Sequence, residues 1–372
     1  MIRVAYFAPV LATGGTQRHL QQVLGRLDRA RFAARVHTLV PGGEVEAELR
    51  AAGVDVVSLA IGPRLATARA ARAIARTAAG LRADGVRIVH GYQWRPALVG
   101  AIAARLARVP LVLASKRSLT GDDPRARRAW RLVARLVDTI VVNADALRRE
   151  GEAHGMAARW ALIPSGVDVA RFGNGPSLAE AKRALGLDPH RPVVGTVGRL
   201  ESRKGHEHFL RAARTMLGLA NGLRPQVVIV GAGPLRAALA REAAALGVAE
   251  IVRFTGMLAD VRLPLAAMDV FVLPSHAEGM SNALLEAMAA RRPVVATAVG
   301  GTHEVLDGGA GVLVRPGDPG RLASEIKKLL ADPARAARFG EAARRRVEQR
   351  FDARAMAQQL EALYAERLAR SA

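Results

Sequence analysis

Short apolar segments alternate with segments of helical period along nearly the whole chain, and this alternation constrains the fold most strongly. In the first half, the predicted strands are Arg3–Ala8, Ala34–Leu39, Asp55–Leu59, Ile88–His90, Leu111–Ala114 and Thr139–Val142. In the second half, they are Val193–Thr196, Gln226–Val230, Ile251–Phe254, Val270–Leu273, Val294–Thr297 and Gly311–Val314. Helical segments such as Gln17–Leu27, Pro96–Arg108 and Arg236–Leu246 lie between them. This spacing predicts parallel sheets in a doubly wound α/β fold.

The series of strands and helices runs twice, and a stretch rich in Gly, Pro and Ser separates the two runs between Pro164 and Pro192. A chain of 372 residues is also longer than one compact core usually supports. We therefore expect two Rossmann-like domains, residues 1–170 and 171–350. In such sheets, ligands bind in the loops that follow the carboxyl ends of the strands, so those loops are the candidate sites.

The chain is strongly basic, with 55 Lys and Arg against 33 Asp and Glu and a formal net charge of +22. This excess favours either an anionic partner or simply well-solvated arginine-rich helices. The basic segment Arg125–Val137 interleaves Arg with Trp130 and Leu132, a pattern that also suits an anionic membrane surface. Nucleic acid is a less favoured partner, since aromatic residues make up only 4% of the chain and form no stacking cluster.

Several classes of protein are excluded by what the sequence lacks. It contains no Cys, which removes disulfides, thiolate nucleophiles and cysteine metal sites. No apolar run reaches the roughly 20 residues of a transmembrane helix, and the first residues do not resemble a signal peptide. The expected compartment is the cytoplasm, with contact to the inner face of the membrane as an open alternative.

Glycine-rich turns follow several of the predicted strands. Gly14-Gly15-Thr16 follows the first strand, and Gly231-Ala232-Gly233-Pro234 follows the strand Gln226–Val230. The segment VVGTVGRLESRKG places Gly198, Arg199 and Lys204 after the strand Val193–Thr196. Because an Arg fork and a Lys ammonium both bind phosphate, this loop is a candidate for gripping a diphosphate.

The most informative segment is VFVLPSHAEGMSNALLEAMAARRPVVATAVGG, from Val270 to Gly301. Its loop carries Glu278, Gly279, Met280, Ser281 and Asn282, and the helix predicted to start near Ser281 carries Glu286. Backbone N–H groups at the start of that helix, together with two carboxylates, suit a polyol attached to phosphate. The alternative for either glutamate alone is an ordinary surface residue.

Other catalytic patterns are missing from the sequence. It has no Asp-x-Asp pair for a metal–diphosphate clamp, no Walker loop and no Gly-x-Ser-x-Gly turn. None of the nine His residues forms a pair at i, i+4 spacing. We therefore expect neither a metal nor any other cofactor.

These motifs resemble the GT-B-fold retaining glycosyltransferases of family four over almost the whole chain. SHAEGMSNALLEAMAARRPVVATAVGG is similar to the two-glutamate donor signature of that family, VGRLESRKG to its phosphate-binding loop and VVIVGAGP to one of its turns. The resemblance implies a nucleotide-sugar donor, UDP- or GDP-linked, and a glycan, lipid or small-molecule acceptor. It also implies that the segment 351–372 is a helix that returns to the N-terminal domain.

The resemblance also implies roles for individual residues. Arg199 and Lys204 would stabilise the departing diphosphate, and Glu286 would hold the ribose hydroxyls. Glu278 would face the donor sugar, and no protein nucleophile is assigned. The remaining donor-side candidates are Gly15, Gly198, Gly231, Gly279, Met280, Ser281 and Asn282.

On the acceptor side, the motifs point to fewer residues. His90, in IVHGYQW, matches the first histidine of the family pattern. SKRSL stands where many relatives have a second His motif, and its Lys116 and Arg117 resemble a subgroup with an Arg near the acceptor.

Two other functions remain open at this point. A nucleotide-sugar epimerase has a similar two-domain fold, but it needs acid and base side chains around the sugar, and Glu278 is nearly alone in that respect. A non-catalytic protein that binds nucleotide sugars or nucleic acid is the other alternative.

Overall fold

The computed structural model describes residues 1–62, 64–121, 123–173, 175–218 and 224–370. The chain divides into two compact units, the first formed by Met1–Gly166 with Ala353–Ala372 and the second by Val167–Asp352. Each unit is built on one parallel sheet. Within the described ranges, no helix has the length and apolar character needed to cross a membrane.

The first unit contains a seven-stranded parallel sheet with the order β3-β2-β1-β4-β5-β6-β7. Its strands are β1 Ile2–Ala8, β2 Phe32–Thr38, β3 Asp55–Ser58, β4 Ile88–Tyr92, β5 Leu111–Lys116, β6 Thr139–Val142 and β7 Trp160–Leu162. Its helices are α1 Gly15–Leu24, α2 Glu44–Ala51, α3 Ala68–Ala83, α4 Trp94–Ala107, α5 Pro124–Leu136, α6 Asp145–Ala153 and, from the chain end, α15 Ala353–Ala369.

Burial on both faces explains why the central strands of this sheet consist mainly of apolar residues. All residues of β4 and β5 are buried. One face of the sheet packs Phe7, Val89 and Val112 against the α3–α4 layer, and the other packs Val4 and Tyr6 with residues of α15. The helix formed by the chain end is therefore part of the core of the first unit.

The second unit contains a six-stranded parallel sheet with the order β10-β9-β8-β11-β12-β13. Its strands are β8 Val193–Val197, β9 Gln226–Val230, β10 Val252–Gly256, β11 Val270–Leu273, β12 Val294–Thr297 and β13 Val312–Val314. Its helices are α7 Leu178–Ala184, α8 His206–Gly218, α9 Arg236–Ala245, α10 Arg262–Ala266, α11 Asn282–Ala289, α12 Thr302–Leu306, α13 Pro319–Ala331 and α14 Pro333–Arg350. Short 3-10 helices occupy Val169–Phe172 and Ser202–Lys204.

The predicted fold class is confirmed, since both units are doubly wound parallel α/β structures. Each of the twelve predicted strands is present, with its ends within two residues of the predicted ones. The sequence missed β7, Trp160–Leu162, which pairs with β6 at the sheet edge. Its three residues are apolar but too few to show a period, and at the sheet edge they are not buried.

Candidate functional site

In the second unit, the loops that follow β8 and β9 lie directly against each other. Gly198 N–H donates to the Val230 carbonyl at 2.9 Å, and Leu200 N–H donates to the Ala232 carbonyl at 3.0 Å. Gly231 has a φ of 142°, and a Cβ there would lie 1.9 Å from the Gly198 oxygen. The two predicted sites Gly198 and Gly231 therefore meet, and only glycine permits the approach at position 231.

Arg199 lies in the loop after β8, and its side chain is 62% exposed to solvent. Its Nε lies 3.6 Å from a Glu201 carboxylate oxygen, and Arg203 Nε lies 2.5 Å from the other oxygen of the same group. The Arg199 carbonyl is held at 3.0 Å by His206 Nε2. Burial lowers the pKa of His206, so its ring is neutral near pH 7 and donates to that carbonyl. The backbone of Arg199 is thus fixed while its guanidinium faces solvent.

Lys204 and Glu278 form a buried ion pair. Lys204 Nζ lies 2.5 Å from Glu278 Oε1, and the side chains are 13% and 4% exposed. Ser275 Oγ donates to the same carboxylate oxygen at 2.7 Å, and Arg203 Nη1 lies 3.9 Å from Oε2. The sequence predicted both Lys204 and Glu278 as site residues but did not predict their contact. This contact links the loop after β8, the candidate for phosphate binding, to the loop after β11.

The loop that carries Glu278 is held by the loop after β12. Thr297 Oγ1 donates to the Ser275 carbonyl at 2.5 Å, and Gly301 N–H donates to the Gly279 carbonyl at 2.8 Å. Gly300 has a φ of 49°, and a Cβ there would lie 1.8 Å from the backbone carbonyl oxygen of Glu278. Glycine at position 300 is therefore required by both the backbone conformation and the close approach.

Helix α11 begins where the sequence predicted it. Ser281 is its N-cap, and its Oγ accepts from Leu284 N–H at 3.4 Å. Met280 is buried, whereas Asn282 and Glu286 are half-buried and lie one turn apart, so they share a face of the helix. The start of α11 therefore directs backbone N–H groups and Asn282 and Glu286 to the same edge of the sheet as Glu278.

The predicted residues of the first unit occupy two different environments. Gly15 is exposed as the first residue of α1. His90 is fully buried in β4, with Nδ1 2.6 Å from Tyr364 Oη and Nε2 2.8 Å from Ser115 Oγ. Tyr364 Oη in turn donates to Tyr6 Oη at 3.2 Å. Burial and, secondarily, the charge of Arg117 lower the pKa of His90 to about 3. The ring is neutral, and it ties α15 to the sheet.

Lys116 and Arg117 are neighbours in sequence but have different partners. Lys116 is fully buried and pairs with the Glu150 carboxylate, while burial lowers its pKa against the opposing effect of that partner. Arg117 Nη2 donates to Ser165 Oγ at 2.8 Å, and burial lowers the pKa of its guanidinium to about 10. Asn143 Nδ2 donates to the same Ser165 oxygen at 3.0 Å. Arg117 and Asn143 follow β5 and β6 directly, so they lie at the carboxyl edge of the first sheet.

Sequence reasoning missed Tyr364, Asn143 and Glu150 as partners in this region. Tyr364 is 274 residues from His90, and Glu150 is 34 residues from Lys116.

The basic segment that could face a membrane is helix α5. Its residues Trp130 and Val133 are buried in the core of the first unit, while Arg128, Arg131 and Leu132 are exposed. The apolar face predicted from the sequence is thus mostly occupied by packing. Contact of the basic face with an anionic membrane stays a prediction.

Two family models match the chain. The model described as Glycosyltransferase Family 4 matches residues 13–171, and the model described as Glycosyl transferases group 1 matches residues 191–332. Together they include the loops after β8, β9, β11 and β12 and all the acceptor-side candidates of the first unit.

Curated relatives with matching sequences act on inositol compounds according to their names. A D-inositol 3-phosphate glycosyltransferase of Acidothermus cellulolyticus is 34% identical over 354 residues, which cover 86% of this chain and 78% of that protein. A GDP-mannose-dependent alpha-(1-6)-phosphatidylinositol monomannoside mannosyltransferase of Mycolicibacterium smegmatis is 36% identical, covering 67% of this chain and 68% of that one. The match spans slightly less than two thirds of some relatives, such as 66% of the D-inositol 3-phosphate glycosyltransferase of Nocardiopsis dassonvillei.

Solved structures share the fold at lower identity. Anabaena Alr3699/HepE, crystallised with UDP and glucose, is 22% identical with a TM-score of 0.87, and the match covers 98% of this chain and 100% of that one. WaaG, a glycosyltransferase of lipopolysaccharide biosynthesis, is 19% identical with a TM-score of 0.75, covering 97% and 99% of the two chains. At these identities, the likeness shows the GT-B fold and no more.

Proposed function

The chain belongs to the group 1 glycosyltransferases of family 4, and on that premise we propose that it transfers a hexose from a nucleotide-sugar donor to a hydroxyl-bearing acceptor. We further propose that the anomeric configuration is retained and that no metal ion takes part in the transfer. The observation that carries the proposal is the Lys204–Glu278 ion pair, set between glycine loops at the carboxyl edge of the second sheet.

In the proposed reaction, the cationic side chains at this edge of the sheet stabilise the nucleotide as it leaves. When the bond between the anomeric carbon and the phosphate oxygen breaks, negative charge grows on the diphosphate. The exposed Arg199 guanidinium offers a fork of donors to that charge. The Lys204 ammonium has three N–H donors, and its bond to Glu278 uses one of them and holds the group in place. In this proposal, the exposed Arg199 and the paired Lys204 together supply the positive charge that a divalent ion supplies in other transferases.

The carboxylates and the start of α11 account for donor binding. Glu286 and Asn282, on one face of α11, suit the ribose hydroxyls and the sugar. Glu278 faces the donor sugar, and its position is set by Lys204 and Ser275. In the proposed step, the acceptor oxygen bonds to the anomeric carbon on the face that the diphosphate leaves. The acceptor proton passes to a phosphate oxygen, so atoms and charges balance without a protein nucleophile.

For the acceptor, we propose a polyol that carries phosphate, such as an inositol phosphate or a phosphatidylinositol mannoside. The relatives named above act on such compounds, and Arg117 provides a half-buried cation at the carboxyl edge of the first sheet. Arg117 with Ser165 and Asn143 is the group we assign to the acceptor side, with His90 and Lys116 behind it. A glycan acceptor without phosphate is the alternative, and it is tested by using such a glycan in place of the phosphate-bearing acceptor in the product assay.

The test begins with binding. Thermal unfolding is followed with UDP, GDP, ADP and their hexose conjugates, in EDTA, for the wild type and for Arg199→Ala. A nucleotide present at about 100 times its Kd stabilises the folded state by roughly 2.7 kcal/mol. We expect one nucleotide series to raise the Tm of the wild type and to have little effect on Arg199→Ala. Arg241→Ala, which removes an exposed Arg of α9, is the matched control and keeps the full shift.

Product analysis then completes the test. The stabilising sugar nucleotide is incubated with D-inositol 3-phosphate or a phosphatidylinositol mannoside, and the linkage is read by NMR. We expect an α-linked product from an α-linked donor, with a loss of about 10²-fold in kcat for Arg199→Ala. An inverted linkage contradicts the proposal of retention, and dependence on added metal contradicts metal independence. Conversion of the donor sugar without any acceptor indicates the epimerase alternative instead.

A further inference from the structure

A second cluster of chemically active side chains lies beside the donor-site candidates and has no part in the proposed transfer. Glu207 and His208 belong to the first turn of α8, and His276 belongs to the loop after β11. His276 Nε2 lies 2.6 Å from Glu207 Oε1, and His208 Nε2 lies 3.8 Å from the same oxygen. The two imidazole rings contact each other edge to face, with centroids 4.8 Å apart. Three ligand-type atoms therefore converge from two separate segments.

The spacing of these atoms fits a metal ion after small side-chain movements. The three ligand atoms all lie within 4.8 Å of one another. Around a tetrahedral ion with bonds of about 2.1 Å, neighbouring ligand atoms are about 3.4 Å apart. His276 is exposed and the other two side chains are half-buried, so small rotations can bring them together. Because His276 is exposed to solvent, water can supply the fourth ligand.

From this geometry, we propose that Glu207, His208 and His276 bind one divalent transition-metal ion of the Zn²⁺ class. Two imidazole nitrogens and one carboxylate oxygen are ligands that Zn²⁺ and Co²⁺ accept, whereas Mg²⁺ and Ca²⁺ require oxygen ligands. The nearby cation Arg211 is paired with Glu242 at 3.1 Å, which offsets its repulsion of an incoming ion. The proposal does not depend on the transferase activity, because the ion takes no part in that reaction.

A bound metal ion would link the start of α8 to the loop after β11, and both segments lie next to donor-site residues. His276 N–H already donates to the Arg203 carbonyl at 2.9 Å, so the two loops touch at this point. Lys204 precedes Glu207 by three residues, and Glu278 follows His276 by two. An ion held by both segments therefore stabilises the part of the second unit that supports the Lys204–Glu278 pair.

The experiment uses the full chain without a histidine tag. Equilibrium dialysis against Zn²⁺ is expected to give one ion per chain, and saturation is expected to raise the Tm by several degrees, reversibly with EDTA. Substitution by Co²⁺ is expected to give the visible absorption bands of a four- or five-coordinate ion. Mg²⁺ is expected to change neither the Tm nor the spectrum.

Variants separate this site from unspecific binding. His276→Asn and His208→Asn are each expected to weaken Zn²⁺ binding at least tenfold and to remove the Co²⁺ bands. His303→Asn, which removes an exposed histidine elsewhere in the second unit, keeps both. Equal Zn²⁺ binding by wild type and His276→Asn overturns the proposal, as does octahedral Co²⁺ absorption alone. If either variant unfolds, Glu207→Gln provides the same comparison with a nearly isosteric side chain.

Discussion

Removing the Lys204 ammonium tests the central contact of the candidate site. Lys204→Met keeps the length of the side chain but leaves the Glu278 carboxylate, 4% exposed, without its principal cation. Loss of one partner from a buried ion pair typically costs 3–5 kcal/mol of unfolding free energy. Since the carboxylate keeps Ser275 Oγ at 2.7 Å and Arg203 at 3.9 Å, we expect the lower end, about 3 kcal/mol.

The expected loss of stability is large enough to measure without any ligand. For a unit of roughly 190 residues, about 3 kcal/mol corresponds to a fall in Tm of about 6–12 °C. Urea unfolding of the full chain, followed by circular dichroism, gives the same quantity as a change in midpoint at constant slope. Arg211→Met is the matched control. Its exposed pair with Glu242 should be worth less than about 1 kcal/mol.

A double-mutant cycle isolates the contact from general damage. Glu278→Gln removes the charge of the other partner, so Lys204→Met combined with Glu278→Gln leaves no unpaired buried charge. We expect the double variant to be more stable than the sum of the two single losses implies, by about 1–3 kcal/mol. Additive losses, or a loss for Lys204→Met no larger than that of Arg211→Met, would refute the assignment of a coupled buried pair.

Two further predictions concern a glycine and a buried histidine. Gly300→Ala should lower the Tm more than Gly308→Ala. Both glycines have positive φ, but only a Cβ at position 300 collides with backbone, 1.8 Å from the carbonyl oxygen of Glu278. Equal falls in Tm would contradict the close approach. Burial lowers the pKa of His90 from 6.5 to about 3. As pH drops below 6.5, His90 is protonated in the unfolded chain but not in the folded one, so stability falls. His90→Gln should reduce that fall in unfolding free energy by about 1.4 kcal/mol per pH unit between pH 6 and 4. Urea unfolding at several pH values measures this. If the dependence of stability on pH is the same in the variant, the His90 ring is protonated in the folded protein.

The order of the elements and the local chemistry of the loops could be predicted from the sequence. Apolar runs and the 3.6-residue period of helices are local signals, so they revealed twelve strands and the fold class. Glycines such as Gly231 and Gly300 followed strands, where close backbone approach is expected. The start of α11 at the Ser281 cap was likewise a local signal.

Contacts between distant side chains, in contrast, could not be predicted without the fold. Glu278 lies 74 residues from Lys204, and Tyr364 lies 274 residues from His90, so no periodicity could pair them. In a chain with 55 basic residues, composition could not distinguish the paired Lys204 from the exposed Arg199. The cluster of Glu207, His208 and His276 was equally invisible, because its ligands have no fixed sequence spacing. Sheet order brings distant loops to one edge, and that order is set by packing of the whole unit rather than by any local segment.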